Sequence, residues 1–220
     1  MRTRAAAALG EGSSGRARRT TRGERKRRQI LDAAAKVLAR RGYAATTLSE
    51  IAAEVGTAGA GSLYYHFESR EQLIEELLRR GARVAYDRSR RAIEMLPREA
   101  SALERLTAAI RAHLRCVLVE SDYARAAVRS TGQVPAPMWA RVNAEFRGYG
   151  RFYDRLIAAA MDAGEIDASV NRSSLRMLLI GASNWAPEWY RPQGRASARE
   201  IEDLVVRLLT TGVAAKATTF

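Results

Sequence analysis

Residues 46–74 read TTLSEIAAEVGTAGAGSLYYHFESREQLI, and two helix-start signals inside that stretch decide the fold. Thr47 stands three residues before Glu50, and Ser69 three before Gln72. At this spacing a hydroxyl caps a helix N-terminus while the longer side chain reaches back to the cap residue's own N–H. Leu48, Ile51, Ala52 and Val55 then fall at i, i+3, i+4 and i+7, which predicts a short amphipathic helix stopped by Gly56. A third helix is expected over SLYYHF, with Leu63 and Phe67 four apart and facing inward. From Ser69 a long helix runs through Leu73, Ile74, Leu77, Leu78, Val84 and Ile93, ending near Pro97.

Upstream, Ile30, Ala34, Val37 and Leu38 share one face of a helix that begins near Glu24 and stops at Arg41-Gly42. Three short helices, the last two joined by a tight turn, make a helix-turn-helix module. The turn between them is almost free of side chains. Small residues remove the steric barrier to close approach, and glycine supplies unusual backbone angles. Ser62, Tyr64, Tyr65 and His66 then offer hydroxyl and imidazole donors for phosphates or bases, near a helix N-terminus that favours an anion. Two adjacent residues on a short helix cannot both point fully inward, so at least one of Tyr64 and Tyr65 is expected to be exposed.

The charge distribution points to the same partner. The 220-residue chain carries a formal net charge of +13, of which +10 lies in residues 1–45. A basic arm on a nearly neutral body implies a polyanion. Nucleic acid is preferred over membrane, because no apolar stripe accompanies the arm's charges. Residues 1–22 mix Ala, Gly, Ser, Thr and Arg with few large apolar groups and are expected to be a disordered arm. No apolar run approaches the length of a membrane span, and the N-terminus reads poorly as a signal peptide, so a cytoplasmic protein is expected. The single Cys116 excludes an intramolecular disulfide and any multi-cysteine metal site.

Beyond residue 84 the pattern stays helical, without strand-like alternation or repeats, so the architecture is all-α. Segments are expected at 99–120, at 123–130, along a stripe from Met138 to Ala160, at about 171–190 behind an Asn171 cap, and at about 197–214 behind Ser197. The expected organisation is an arm (1–22), a helix-turn-helix domain (23–83) and a larger helical domain (84–220). His113 and Cys116 share a helical face, but no orienting acid accompanies them, so they read as structural or pocket-lining. Neither a phosphate loop, a dinucleotide fingerprint nor a metal cluster is present, and no enzyme, cofactor or metal is expected.

TTLSEIAAEVG, GSLYYHF and ESREQLI resemble the DNA-binding domain of TetR-family transcriptional regulators, over about residues 24–78. The resemblance implies a homodimer whose reading heads bind operator DNA and whose larger domain binds a small-molecule inducer. It implies phosphate contacts from Thr47, Tyr65 and His66, and from Arg70 where the family usually has lysine. Ser49, Ser62, Tyr64 and the turn residues Thr57, Ala58, Gly59, Ala60 and Gly61 are implied near the DNA. This chain places four residues between Gly56 and Gly61-Ser62 where the pattern has three, and the turn's base contacts are the part that transfers least. The arm RARRTTRGERKRR, 16–28, is expected to add affinity through phosphates.

NWAPEWYRPQGRASAREI, 184–201, is similar to the C-terminal region of TetR-type regulators of steroid-ring and fatty-acid catabolism that respond to acyl-CoA thioesters. By that similarity Trp185 and Trp189 line an apolar acyl pocket while Arg191 or Arg195 meets phosphates; His113 and Tyr149 are further candidate ligand-binding residues. A packed aromatic corner of the dimer interface is the alternative for the tryptophans. The last two helices carry single-face stripes suited to a four-helix dimer bundle. Two other functions stand beside the ligand-responsive repressor. One is a multidrug-efflux regulator binding apolar cations, disfavoured by Arg111, Arg115, Arg125 and Arg129 on the middle helices; the other is a nonspecific DNA-organising protein.

Overall fold

The computed structural model describes the backbone of residues 11–212 and the side chains within it from Arg22 onward, residue 210 excepted. Eight α-helices account for most of it, and no strand is present among the described residues, as the all-α reading expects.

The first helix, α1 (Glu11–Arg41), buries Ile30, Ala34, Val37 and Leu38. Its onset at Glu11 is well before the expected start near Glu24, so from Glu11 the basic arm is a continuation of α1. Residues 16–28 are rich in Arg and Lys, which are good helix formers, and elongating an existing helix avoids the cost of nucleation. Residues 1–10 of the expected disordered arm lie outside the described residues.

Helix α2 (Leu48–Val55) opens as expected. The Thr47 hydroxyl accepts from Glu50 N at 3.3 Å, and the Glu50 carboxylate accepts from Thr47 N at 3.0 Å. Gly56 ends the helix at φ 75°, and the N–H groups of Gly56 and Thr57 donate to Ala53 and Ala52 at 3.0 Å each. A β-carbon in this left-handed conformation costs roughly 1–2 kcal/mol, which fixes glycine here.

The expected third helix is instead a 3₁₀ turn, Ala60–Leu63, followed by a turn through His66. Glycines at 59 and 61 weaken helix propagation, so two apolar anchors hold the segment instead. Leu63 and Phe67 are both buried, and Phe67 N donates to Leu63 O at 3.0 Å.

Helix α3 (Arg70–Glu94) starts at Ser69, whose hydroxyl accepts from Gln72 N at 3.1 Å. The second capping box is left open, because the Gln72 carboxamide accepts from Glu68 N at 2.8 Å, one residue before the cap. α3 crosses residue 83 unbroken, so the expected boundary between domains falls inside a continuous helix.

The segment expected at 99–120 begins at the Ser101–Glu104 capping box as α4 (Ala102–Arg115) and ends in a π turn, Cys116–Glu120. That wide turn leaves carbonyls unpaired, and the Arg125 guanidinium caps Val117 O at 3.0 Å and Leu118 O at 2.6 Å. α5 (Asp122–Ser130), α6 (Ala136–Asp162), α7 (Arg172–Trp189) and α8 (Ala198–Gly212) complete the body.

Two cores form. Leu106, Ile110, Leu114, Tyr153 and Ile157 centre the body. The head's core does not close on itself but extends to Ala126, Ala127, Met138 and Val142 of α5 and α6. Where α3 meets α5 the backbones nearly touch: a β-carbon on Gly81 would lie 2.3 Å from Tyr123 O and 2.6 Å from the Ala127 Cβ. Only glycine permits that approach.

Candidate DNA-reading head and ligand cavity

The surface of the head from α2 to the 3₁₀ turn presents the side chains singled out in the sequence. Tyr65 is 90% exposed and Tyr64 55%, so both tyrosines face solvent. Thr47 and Ser49 are exposed, and so are Ala58, Gly59 and Gly61, with Ala60 half-buried. Two hydroxyls hold the turn's own backbone: Ser62 donates to Gly59 O at 2.9 Å and Thr57 to Ala52 O at 3.2 Å. The Thr47 hydroxyl also lies 3.1 Å from the Glu50 carboxylate, which Arg41 pairs with at 2.7 Å. The Thr47 contacts, chiefly with its backbone N–H, hold the Glu50 carboxyl below the usual carboxylate range.

Two arginines prove to be braces. Arg70 donates to Tyr43 O at 2.8 Å and to Thr46 O at 3.0 Å, and stacks 4.4 Å from the Tyr43 ring. Of the guanidinium implied at phosphate, Nε and Nη2 anchor the segment between α1 and α2. Arg27, counted in the arm, stacks 4.0 Å over Phe67 and donates to His66 O and the Glu76 carboxylate. It locks the half-buried His66 turn to α3. Arg22, Arg25 and Arg28 are exposed.

Behind the head lies a cavity of about 190 Å³ between α3, α5, α6 and α7. Gly81, Ala82 and Ala85 form the α3 wall and Ala124, Ala127 and Val128 the α5 wall. α6 supplies the aromatic side, Trp139, Phe146, Tyr149 and Tyr153. Arg176, Ile180 and Asn184 line it from α7, at i, i+4 and i+8. Small residues on one side and large flat ones on the other make an apolar slot with few polar points.

The polar points form one chain of hydrogen bonds. His113 Nε2 faces the Asn184 Oδ1 at 3.0 Å, and its Nδ1 faces the Tyr149 hydroxyl at 2.9 Å. Burial pushes His113 down to about 4, so the ring is neutral. A carboxamide oxygen only accepts, so the proton sits on Nε2 and Tyr149 donates to Nδ1. Ser89 lies 2.8 Å from Tyr149 Oη, and Tyr153 donates to Ala109 O at 3.0 Å. Burial also raises both tyrosine hydroxyls, Tyr153 to about 12. Cys116 is buried with its thiol pushed up to about 11, a weak nucleophile.

Of the five residues expected to bind ligand, the cavity brings together His113 and Tyr149 and leaves out the others. Trp185 and Trp189 are 66% and 51% exposed. With Leu178 they fall at i, i+7 and i+11, a face of α7 distinct from the cavity face. Met177, and Leu204 and Leu208 of α8, add to this exposed apolar surface. Arg191 is exposed past the end of α7 and donates to Glu188 O at 3.1 Å and Tyr190 O at 2.9 Å.

The middle-helix arginines are also committed elsewhere: Arg115 pairs with Glu202 at 2.8 Å, Arg111 with Asp203, and Arg125 caps the π turn. None of them lines the cavity, so they are no argument about its ligand. The cavity's cation is Arg176, which donates to Asp154 Oδ1 at 2.9 Å. Trp139 was missed in the sequence, although it precedes Phe146 by seven residues and Tyr153 by fourteen on α6.

The wall of the cavity is also the support of the head. α5 lines the cavity with Ala124, Ala127 and Val128, and its other side chains hold α1. Tyr123 donates to Asp32 at 2.7 Å, and Arg129 to the Ala39 and Arg40 carbonyls at 2.9 and 2.8 Å. Just beyond α5, the Gln133 carboxamide accepts from Tyr43 N at 2.9 Å.

Comparison with known proteins matches both the head and the body of the chain. Residues 30–77 match the family of bacterial regulatory proteins described as the tetR family, and residues 99–213 match the tetracyclin repressor-like C-terminal domain. The fatty acid metabolism regulator protein of Bacillus subtilis is 23% identical over 186 residues, covering 84% of this chain and 94% of its own. The HTH-type transcriptional repressor KstR2 of Mycolicibacterium smegmatis is 27% identical over 204 residues, covering 86% and 90%. Among solved structures, AibR in complex with isovaleryl coenzyme A and operator DNA superposes with a TM-score of 0.74 at 24% identity, covering 83% of this chain and 97% of that one. Among the described residues no helix is long and apolar enough to cross a membrane. With its head and its body both matched, the chain belongs to the TetR family of bacterial transcriptional regulators.

Proposed function

We propose that the protein is a homodimeric repressor whose two heads cover an operator and whose inducer is an acyl-CoA thioester. The observation that carries this reading is the double use of α5: one side walls the cavity and the other holds α1. A ligand that fits the cavity better when α5 is displaced shifts the heads by its differential affinity for the two states. Apolar walls suit an acyl group, and Arg176 at the lining favours an anionic ligand over the apolar cation of an efflux regulator. Of the relatives named above, one is a fatty acid metabolism regulator and one is seen in complex with isovaleryl coenzyme A and operator DNA, which supports the same class.

On this reading Thr47, Ser49, Ser62, Tyr64, Tyr65 and His66 meet DNA, with the turn from Thr57 to Gly61 close to the bases. Two heads reach successive major-groove faces about 34 Å apart, which requires a dimer. The exposed apolar face of α7 and α8, Leu178, Trp185, Trp189, Leu204 and Leu208, is the surface a second copy covers. A DNA-binding regulator of this kind works in the cytoplasm.

A gel shift against the DNA beside the protein's own gene, with competitor DNA and then with a panel of CoA thioesters, tests the reading. Retention in excess competitor and release by a thioester are expected. Equal binding to unrelated duplexes would favour a nonspecific DNA-organising protein instead.

A further inference from the structure

We infer that the cavity selects a compact acyl group of about five to seven carbons, branched or ring-shaped, and excludes long straight chains and fused-ring systems. This rests on the thioester reading above and adds to it the size and shape of the acyl group.

Volume sets the limit. A dry apolar cavity of 150 Å³ accommodates benzene, with its six non-hydrogen atoms, so the 190 Å³ here holds roughly seven or eight. A hexanoyl or benzoyl group fills that space, whereas a dodecanoyl chain carries nearly twice as many atoms as a hexanoyl group. The aromatic wall of α6 cannot yield easily, because Tyr149 and Tyr153 are fixed by hydrogen bonds to His113, Ser89 and Ala109 O. The Trp139 and Phe146 rings pack together at 4.9 Å between centroids.

The carbonyl has a recognition point. Asn184 gives its oxygen to His113, so its NH₂ is left to donate toward the cavity. A thioester oxygen is the acceptor such a donor needs, and a hydrocarbon leaves it unpaired at a cost. Nearby on the same helix face, Arg176 keeps only its Nε on Asp154, and its Nη1 lies 3.4 Å from where a β-carbon on Gly150 would sit. The guanidinium therefore stands at the cavity's α6–α7 side, where a phosphate-bearing ligand meets positive charge.

Calorimetric titration of the full-length protein with acetyl-, isovaleryl-, benzoyl-, octanoyl- and dodecanoyl-CoA decides the matter without knowledge of the operator. Isovaleryl- or benzoyl-CoA is expected to bind at least tenfold more tightly than acetyl- or dodecanoyl-CoA. Phe146→Ala should move the optimum toward octanoyl-CoA, and Asn184→Leu should weaken the compact thioesters about tenfold. Dodecanoyl-CoA binding as well as benzoyl-CoA to the unaltered protein would overturn the size limit while leaving the thioester class standing. Binding by none of the five would overturn the ligand class itself, and this inference with it.

Discussion

Arg129 and Glu188 are joined across the body of the protein, Nη2 of the arginine donating to Oε2 of the glutamate at 3.1 Å. Nε lies 2.8 Å from Oε1, but its N–H misses the oxygen, so that contact is an ion pair by distance alone. The same guanidinium holds the last carbonyls of α1 through Nη1. One side chain thus connects the end of α7, two turns past the cavity residue Ile180, to the helix that carries the head.

Glu188→Gln keeps the shape of this junction and removes its charge. Ligand affinity in the absence of DNA is expected to change little, while the ligand's effect on DNA affinity shrinks by about 1–2 kcal/mol. Operator titrations with and without ligand measure it. An unchanged ligand effect would show that the junction only supports the fold.

Tyr65→Ala is expected to weaken operator binding by about 1–3 kcal/mol with thermal stability unaltered, because the side chain is almost wholly exposed. A loss of stability with no loss of affinity would place Tyr65 in the packing of the head instead.

Gly81→Ala drives a methyl group into Tyr123 O and Ala127. Separating α3 from α5 to admit it costs about 1–3 kcal/mol, read as a lowered Tm. The cavity wall moves with α5, so ligand affinity is expected to change in the same variant.

Some of these features are visible in the sequence and others are not. Capping residues and glycine stops are local, and Thr47, Gly56, Ser69 and Asn171 act where the spacing placed them. The Leu63 and Phe67 anchors were legible too, yet the 3₁₀ form between them was not, since two glycines and tertiary packing override helical spacing. α7 hid its roles because most of its large apolar residues are not on its cavity face: the tryptophans point to solvent, and the cavity takes Arg176, Ile180 and Asn184. Arg27 and Arg70 became braces through carbonyls 39 and 24 residues away in sequence, contacts that no spacing rule encodes.

His113 makes stability pH-dependent. Its folded value is depressed to about 4 from 6.5, so the unfolded chain binds more protons between those values. Stability is therefore full above pH 6.5, falls as pH drops toward 4 and levels off below, by about 3 kcal/mol in all for this fully buried ring. Denaturant titrations of the native protein and His113→Gln across that window should differ in slope. Parallel curves would mean that another group carries the dependence.

If the cavity and the head are linked through α5, as proposed, the linkage is reciprocal. Isovaleryl- or benzoyl-CoA should be titrated calorimetrically into the free protein and into its operator complex. Binding to the complex is expected to be weaker by about tenfold or more, by the same factor as the ligand weakens DNA binding. Equal affinity for the free and the DNA-bound protein would contradict it.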